Sequence, residues 1–230
     1  MTALPRTPGL HEVRYQVGGR TRHAGLFVPA RRDDDSLVVY LHGKGERGDA
    51  MEHVAYGLGK AIAARPERFT GFVLLPQCPR DRLWVAVDQP WSEGLPGAED
   101  HFDAALDFAE RELRVPSSRT ALTGLSMGGF ATLMFGADRV ARFAAFAALC
   151  GGGRTRDAAV LADRPVWLVH GSQDPAVLPQ ESRRMATAIR SARPDAALRL
   201  TEYADLAHNC WDRAYGDPEL VAFLFRPGFG

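Results

Sequence analysis

The sequence predicts an α/β fold in which a mostly parallel central sheet carries an antiparallel hairpin at its N-terminal end, helices on both faces and no lid. Three observations predict it. Short continuous apolar runs alternate with amphipathic stretches of helical period, the pattern of parallel strands buried on both faces. Two alternating segments, 11–17 and 21–28, flank Gly18-Gly19, which reads as a hairpin. Only the short stretch 150–164 separates the runs at 143–149 and 165–169, too little chain for a helical lid domain.

In order, the hairpin closes at Pro29, and Arg31-Arg32-Asp33-Asp34-Asp35 reads as a charged surface turn. The run 36–41 is a buried strand that empties into His42-Gly43-Lys44-Gly45-Glu46-Arg47-Gly48, followed by an expected helix over 51–65. A strand at 71–75 ends in Pro76-Gln77. The segment 78–97 has no clear period but carries Trp84, Trp91 and three prolines, so an ordered loop is expected. Phe102, Ala105, Leu106, Ala109 and Leu113 mark an amphipathic helix over 98–114. A strand then leads into Gly124-Leu125-Ser126-Met127-Gly128 and a helix to about Ala137. Strands at 143–149, 165–169 and 198–203 and helices at 179–192 and 218–225 complete the chain, as one expected domain over 1–230.

Composition excludes several functions. With 28 basic against 28 acidic residues, nothing argues for nucleic acid or an anionic membrane as the main partner, and a small molecule is expected. No run reaches the roughly 18 apolar residues of a membrane span. The first nine residues lack the apolar core of a secretory signal, so the expected location is cytoplasmic. Cys78, Cys150 and Cys210 are odd in number and lack Cys-x-x-Cys spacing, which favours free thiols. Cys210 follows His208 by two residues, with no further metal ligand near that pair in the chain, so no metal is expected.

The chemistry starts at Ser126. A serine flanked by glycines two residues to either side, between a strand and a helix, sits on a strained turn that lifts its hydroxyl out as a nucleophile. The same turn leaves the Met127 amide at a helix N-terminus, aimed where a negative oxygen would form during acyl transfer. The serine needs an imidazole to take its proton, and the imidazole needs a carboxylate on its other nitrogen. In a parallel sheet both come from loops at the carboxyl ends of strands. Asp174 and His208 meet that condition, and His208 alone among seven histidines follows Asp174. His170 has a strand-end place before Gly171 that suggests packing at a close turn. Asp205 and Asp212 are too near His208 in the chain, and Asp163 precedes its strand.

The loop after the third strand contains a literal Gly-x-Gly-x-x-Gly, but the acidic residue a dinucleotide site wants is missing: Glu67 lies before the next strand rather than at its end. No cofactor is therefore expected. The loop is expected instead to supply the second oxyanion amide from Lys44 or Gly45, with His42 and Glu46 as its hydrogen-bond fixers. Trp84 and Trp91 either wall the substrate pocket or plug the core edge. Gln77 and Trp211 complete the expected pocket.

These four motifs, Leu41 to Gly48, Gly124 to Gly129, His170 to Asp174 and Ala207 to Trp211, resemble the α/β-hydrolase superfamily, and within it the lidless small serine esterases: phospholipase/carboxylesterase-like proteins, peptidase-like esterases and dienelactone hydrolase relatives. The resemblance runs from about Ser36 onward. It implies a Ser126–His208–Asp174 triad, an acyl-enzyme, an oxyanion hole from Met127 and the loop after His42, and no cofactor. Two departures stand out: dienelactone hydrolases proper carry cysteine where this chain has Ser126, and many carboxylesterases of the branch carry Gln where it has Met127. Hydrolysis of a small carboxylic ester is the expected activity. A peptidase acting on short peptides and a non-catalytic small-ligand binding protein on the same fold are the alternatives.

Overall fold

The apolar runs form one eight-stranded sheet in the order β1-β2-β4-β3-β5-β6-β7-β8. The strands are β1 Gly9–Val17, β2 Arg20–Val28, β3 Leu37–Leu41, β4 Phe72–Pro76, β5 Thr120–Leu125, β6 Ala145–Leu149, β7 Val166–Gly171 and β8 Leu198–Tyr203. The computed structural model describes residues 4–31, 35–49 and 51–226; most of the charged turn expected at 31–35 lies outside them. β1 pairs antiparallel with β2, and β2 with β4, while every pairing from β4 across to β8 is parallel. The central strands are buried along their whole length, whereas the outermost, β1 and β8, carry exposed polar positions that discourage further pairing.

Side chains alternate between two cores. In β3, Leu37, Val39 and Leu41 enter one and Val38 and Tyr40 the other. The first core packs against α2 Glu99–Leu113, α3 Met127–Asp138, α4 Ala158–Leu161 and α5 Gln180–Ala192; the second against α1 Gly57–Ala64, α6 Trp211–Gly216 and α7 Pro218–Phe225. Phe102 and Phe135 stack at 4.3 Å between α2 and α3, and Arg139 lies over both rings while bonding Asp103 at 2.5 and 2.6 Å. A guanidinium spread over aromatic faces and a carboxylate ties the two helices at their solvent edge.

The helix expected over 51–65 is divided. A 3₁₀ turn, Glu52–Ala55, is separated from α1 by extended Tyr56; α1 opens on Gly57 at φ +51°, and Pro66 ends it. A Cβ on Gly57 would lie 2.2 Å from the Tyr40 hydroxyl, so the chain turns here because only glycine fits. Two short helices, α4 and α6, carry too few turns to show a period in the sequence.

The aperiodic segment 78–97 is ordered by backbone bonds at its base. Leu83 bridges Gly97, the Leu83 amide donates to Pro96 O at 3.0 Å and the Ala98 amide to Trp84 O at 3.2 Å. Trp84 is fully buried, its Nε1–H donating to His42 O at 3.0 Å. Of its two expected positions it takes the core plug. Trp84→Ala should therefore cost about 3–5 kcal/mol of stability in urea unfolding; unchanged stability with altered substrate preference would contradict this placement.

Candidate active site

Sheet register brings the site together. Leu125, Leu149 and Val169 are level across β5, β6 and β7, so Ser126, Cys150 and His170 emerge side by side at the carboxyl edge. The Ser126 amide donates to Leu149 O at 2.9 Å and the Cys150 amide to Val169 O at 2.7 Å, continuing the ladder by one step.

Ser126 has φ +54° and ψ −119°, a region that non-glycine residues avoid and that neighbours must enforce. They do so by contact. A Cβ on Gly124 would lie 2.4 Å from Gly128 O, one on Gly128 2.0 Å from Leu41 O, and one on Gly129 2.4 Å from Leu149 O. The turn is wedged between the ends of β3 and β6. Met127 opens α3, so its amide belongs to the unpaired first turn.

His208 faces Ser126, with Nε2 3.0 Å from Oγ, and its Nδ1 lies 2.6 Å from Asp174 Oδ2. The latter is a charge-assisted contact that places the proton on Nδ1 and leaves Nε2 as the acceptor. The His208 side chain is 27% exposed and Trp211 stands edge-on to its ring at 5.4 Å. Gly171 makes the approach possible, since a Cβ there would fall 2.0 Å from Ala207 O in the loop that carries His208.

Asp174 has a wholly buried side chain. Its Oδ1 accepts the Ala176 and Val177 amides at 2.9 and 3.0 Å. Burial pushes its pKa up, but hydrogen bonds from His170, His208 and the Val177 amide outweigh that and hold it well below the ordinary carboxylate range. These bonds favour its ionised form. His170, expected only to pack, touches Asp174: its Nε2 is 3.3 Å from Oδ2 and 3.0 Å from Val177 O, and its Nδ1 is 2.7 Å from Ser182 Oγ. Its place four residues before Asp174, across the turn, was the available signal.

The loop after β3 lies beside the serine. Gly43 is nearest, its Cβ position 3.7 Å from the Ser126 Cβ, and Lys44–Glu46 form a 3₁₀ turn whose first amides have no acceptor within the turn. Lys44 and Gly45 are the first two residues of that turn, whose opening amides point out of it. His42 fixes the loop: Nε2 accepts the Cys78 amide at 3.0 Å and Nδ1–H donates to Gly43 O at 2.7 Å. Burial, with His53 and Arg47 nearby, lowers its pKa to about 3 against the opposing Gly43 bond, so it is neutral. Burial also raises Glu46.

The expected pocket residues divide. Gln77 is buried behind the loop, donating to Glu46 O and Cys78 O at 2.8 and 3.0 Å, and with Trp84 it supports the loop from beneath. Trp91 and Trp211 are half-exposed at the mouth. Trp91 packs on Phe130 at 5.6 Å, and its carbonyl accepts from Lys44 Nζ at 2.7 Å, which also pairs with Glu93 at 2.6 Å. An open groove of about 520 Å³ lies against Phe130, one helical turn from Ser126 in the chain, lined by Val87, Asp88, Met134, Arg154 and Arg156.

The dienelactone hydrolase family matches residues 81–216, more than half of the chain and the part that holds Ser126, Asp174 and His208. The chain belongs to that family. No curated protein matches the sequence. Among solved structures, a thermostable esterase is 26% identical with a TM-score of 0.80, over 96% of this chain and 63% of the esterase, so the chain spans less than two thirds of that protein. A ferulic acid esterase is 16% identical (TM-score 0.71, 95% of this chain, 98% of the other), and an acylaminoacyl peptidase from Pyrococcus horikoshii 13% identical (TM-score 0.67, 98% and 43%). The fold is that of the α/β-hydrolases. This family member has serine at the turn where dienelactone hydrolases proper have cysteine. Among the described residues no helix is long and apolar enough to cross a membrane.

His42 gives a pH signature. Its pKa is about 3 folded and 6.5 as a free group, so between those values only the unfolded chain takes up the proton. Stability is full above pH 6.5 and falls as pH drops toward 3, by about 1.4 kcal/mol per unit. Between pH 6.5 and 5, wild type should lose about 2 kcal/mol more than His42→Gln in urea unfolding; equal losses would show that His42 is not held neutral.

Proposed function

We propose that the protein is a serine hydrolase that cleaves small carboxylic esters through an acyl-enzyme on Ser126. The observation that carries this is the continuous line of contacts from Ser126 Oγ through His208 to Asp174, at 3.0 and 2.6 Å, at the edge of the sheet. Ser126 Oγ attacks the ester carbonyl as His208 Nε2 takes its proton. Asp174, fixed by two amides and by His170, stabilises the imidazolium without itself being protonated. The oxyanion forms between the Met127 amide and the Lys44 or Gly45 amide. The imidazolium then protonates the departing alkoxide, and a water deprotonated by His208 releases the acid by the same steps in reverse.

The substrate lies across the open mouth between Trp91 and Trp211, with one arm directed along the groove past Phe130. Flat aromatic walls at Trp91 and Trp211, and a groove that mixes apolar side chains with charged ones of both signs, favour an aromatic or moderately apolar group over a long acyl chain. The family match supports ester cleavage, and the serine in place of cysteine supports ordinary esters over dienelactones.

Ser126→Ala should fold normally and lower turnover of phenyl and p-nitrophenyl acetates by several orders of magnitude, on the order of 10⁴ or more. Wild-type turnover in that variant would end this reading. In the same panel, aminoacyl esters should be cleaved and the matching anilides left intact; rapid anilide cleavage would favour the peptidase.

A further inference from the structure

Cys150 has no part in the mechanism above, yet it stands in the middle of it. It ends β6 between the strands that carry Ser126 and Asp174, fully buried. Its ligand atom and those of Asp174 and His208 all lie within 4.8 Å of one another. Cys210, two residues after His208 and also buried, lies beside Cys150; burial and that neighbour push the Cys150 thiol well above its ordinary range. The sequence shows His208 and Cys210 without further ligands nearby; the fold supplies two.

We propose that Cys150, Asp174 and His208, with Cys210 beside them, form a site for a thiophilic divalent cation such as Zn²⁺, and that filling it switches the esterase off. A thiolate, a carboxylate and an imidazole are a zinc-type donor set. With zinc–ligand distances of about 2.0–2.3 Å, tetrahedral neighbours stand roughly 3.3–3.8 Å apart. The Asp174–His208 contact of 2.6 Å therefore opens by about an ångström, and the sulfur, within 4.8 Å of both, closes by at most about 1.5 Å. One thiolate and one carboxylate cancel the charge of the cation, so the filled site is neutral and its burial is tolerated. The cation enters past His208, the partly exposed member.

Binding forms a metal–sulfur bond and releases the Cys150 proton to water, so affinity rises with pH. The cation takes Nδ1, the ring nitrogen that faces Asp174. The Nδ1 proton then moves to Nε2, which faces Ser126 and can no longer accept, so Ser126 loses its base. The inhibition rests on the esterase reading; the site itself does not.

Cobalt(II) tests the site without turnover, because a thiolate ligand gives a near-ultraviolet sulfur-to-cobalt absorption band. Wild type titrated with Co²⁺ should show the band, and Cys150→Ala should not; Cys150→Ser, which replaces sulfur by oxygen, serves the same purpose if the alanine variant does not fold. Zn²⁺ should inhibit ester turnover reversibly, with EDTA restoring it, and loss of Cys150 should raise the half-inhibiting concentration about tenfold or more. No band in wild type, a band kept without Cys150, or equal zinc inhibition of the variant would each overturn the proposal. The cobalt result stands whether or not the protein proves to be an esterase.

Discussion

Backbone packed against backbone at the Ser126 turn sets the terms for the rest of the site. The turn holds a serine at φ +54° because the carbonyls of Leu41, Leu149 and Gly128 leave no room for a side chain at Gly124, Gly128 or Gly129. Such a conformation costs of order 1–3 kcal/mol and persists only where its surroundings fix it. The ends of β3 and β6 are those surroundings, and both are buried deep in the sheet. The strain at Ser126 is therefore held by fully buried strands in the middle of the sheet.

From that wedge the other groups follow by register. Adjacent parallel strands end level, so loops leaving β3, β5, β6 and β7 meet at one edge, and chain segments far apart in sequence come within hydrogen-bond range. Asp174 shows how a buried carboxylate is kept charged there: two amides hold one oxygen and two imidazoles lie against the other. His42 shows the reverse, an imidazole kept neutral by burial so that it can accept the Cys78 amide and stiffen the loop after β3. Both devices fix charge and hydrogen-bond direction before a substrate arrives.

The strands were legible because each is a short apolar run between turn residues, and the meeting of Ser126, Asp174 and His208 because all three follow ends of parallel strands. What the sequence hid was lateral. Cys150 reads as the end of a strand; its neighbours become visible only when β6 is placed between β5 and β7. His170 reads as packing because its contact with Asp174 depends on the turn at Gly171. Gln77 follows a strand and Trp84 sits in a segment without periodicity, and nothing local says that they point under the loop after β3 and away from the mouth. The helix at 51–65 was overextended because Gly57 within an apolar stretch does not announce that the chain must turn beneath Tyr40.

The central claim is that Ser126 is an activated nucleophile, and intact mass after brief exposure to a fluorophosphonate tests it most directly. The account predicts a single covalent adduct on the wild-type protein and none on Ser126→Ala. A folded wild-type protein that takes up no adduct, or a variant labelled as fully as wild type, would contradict it.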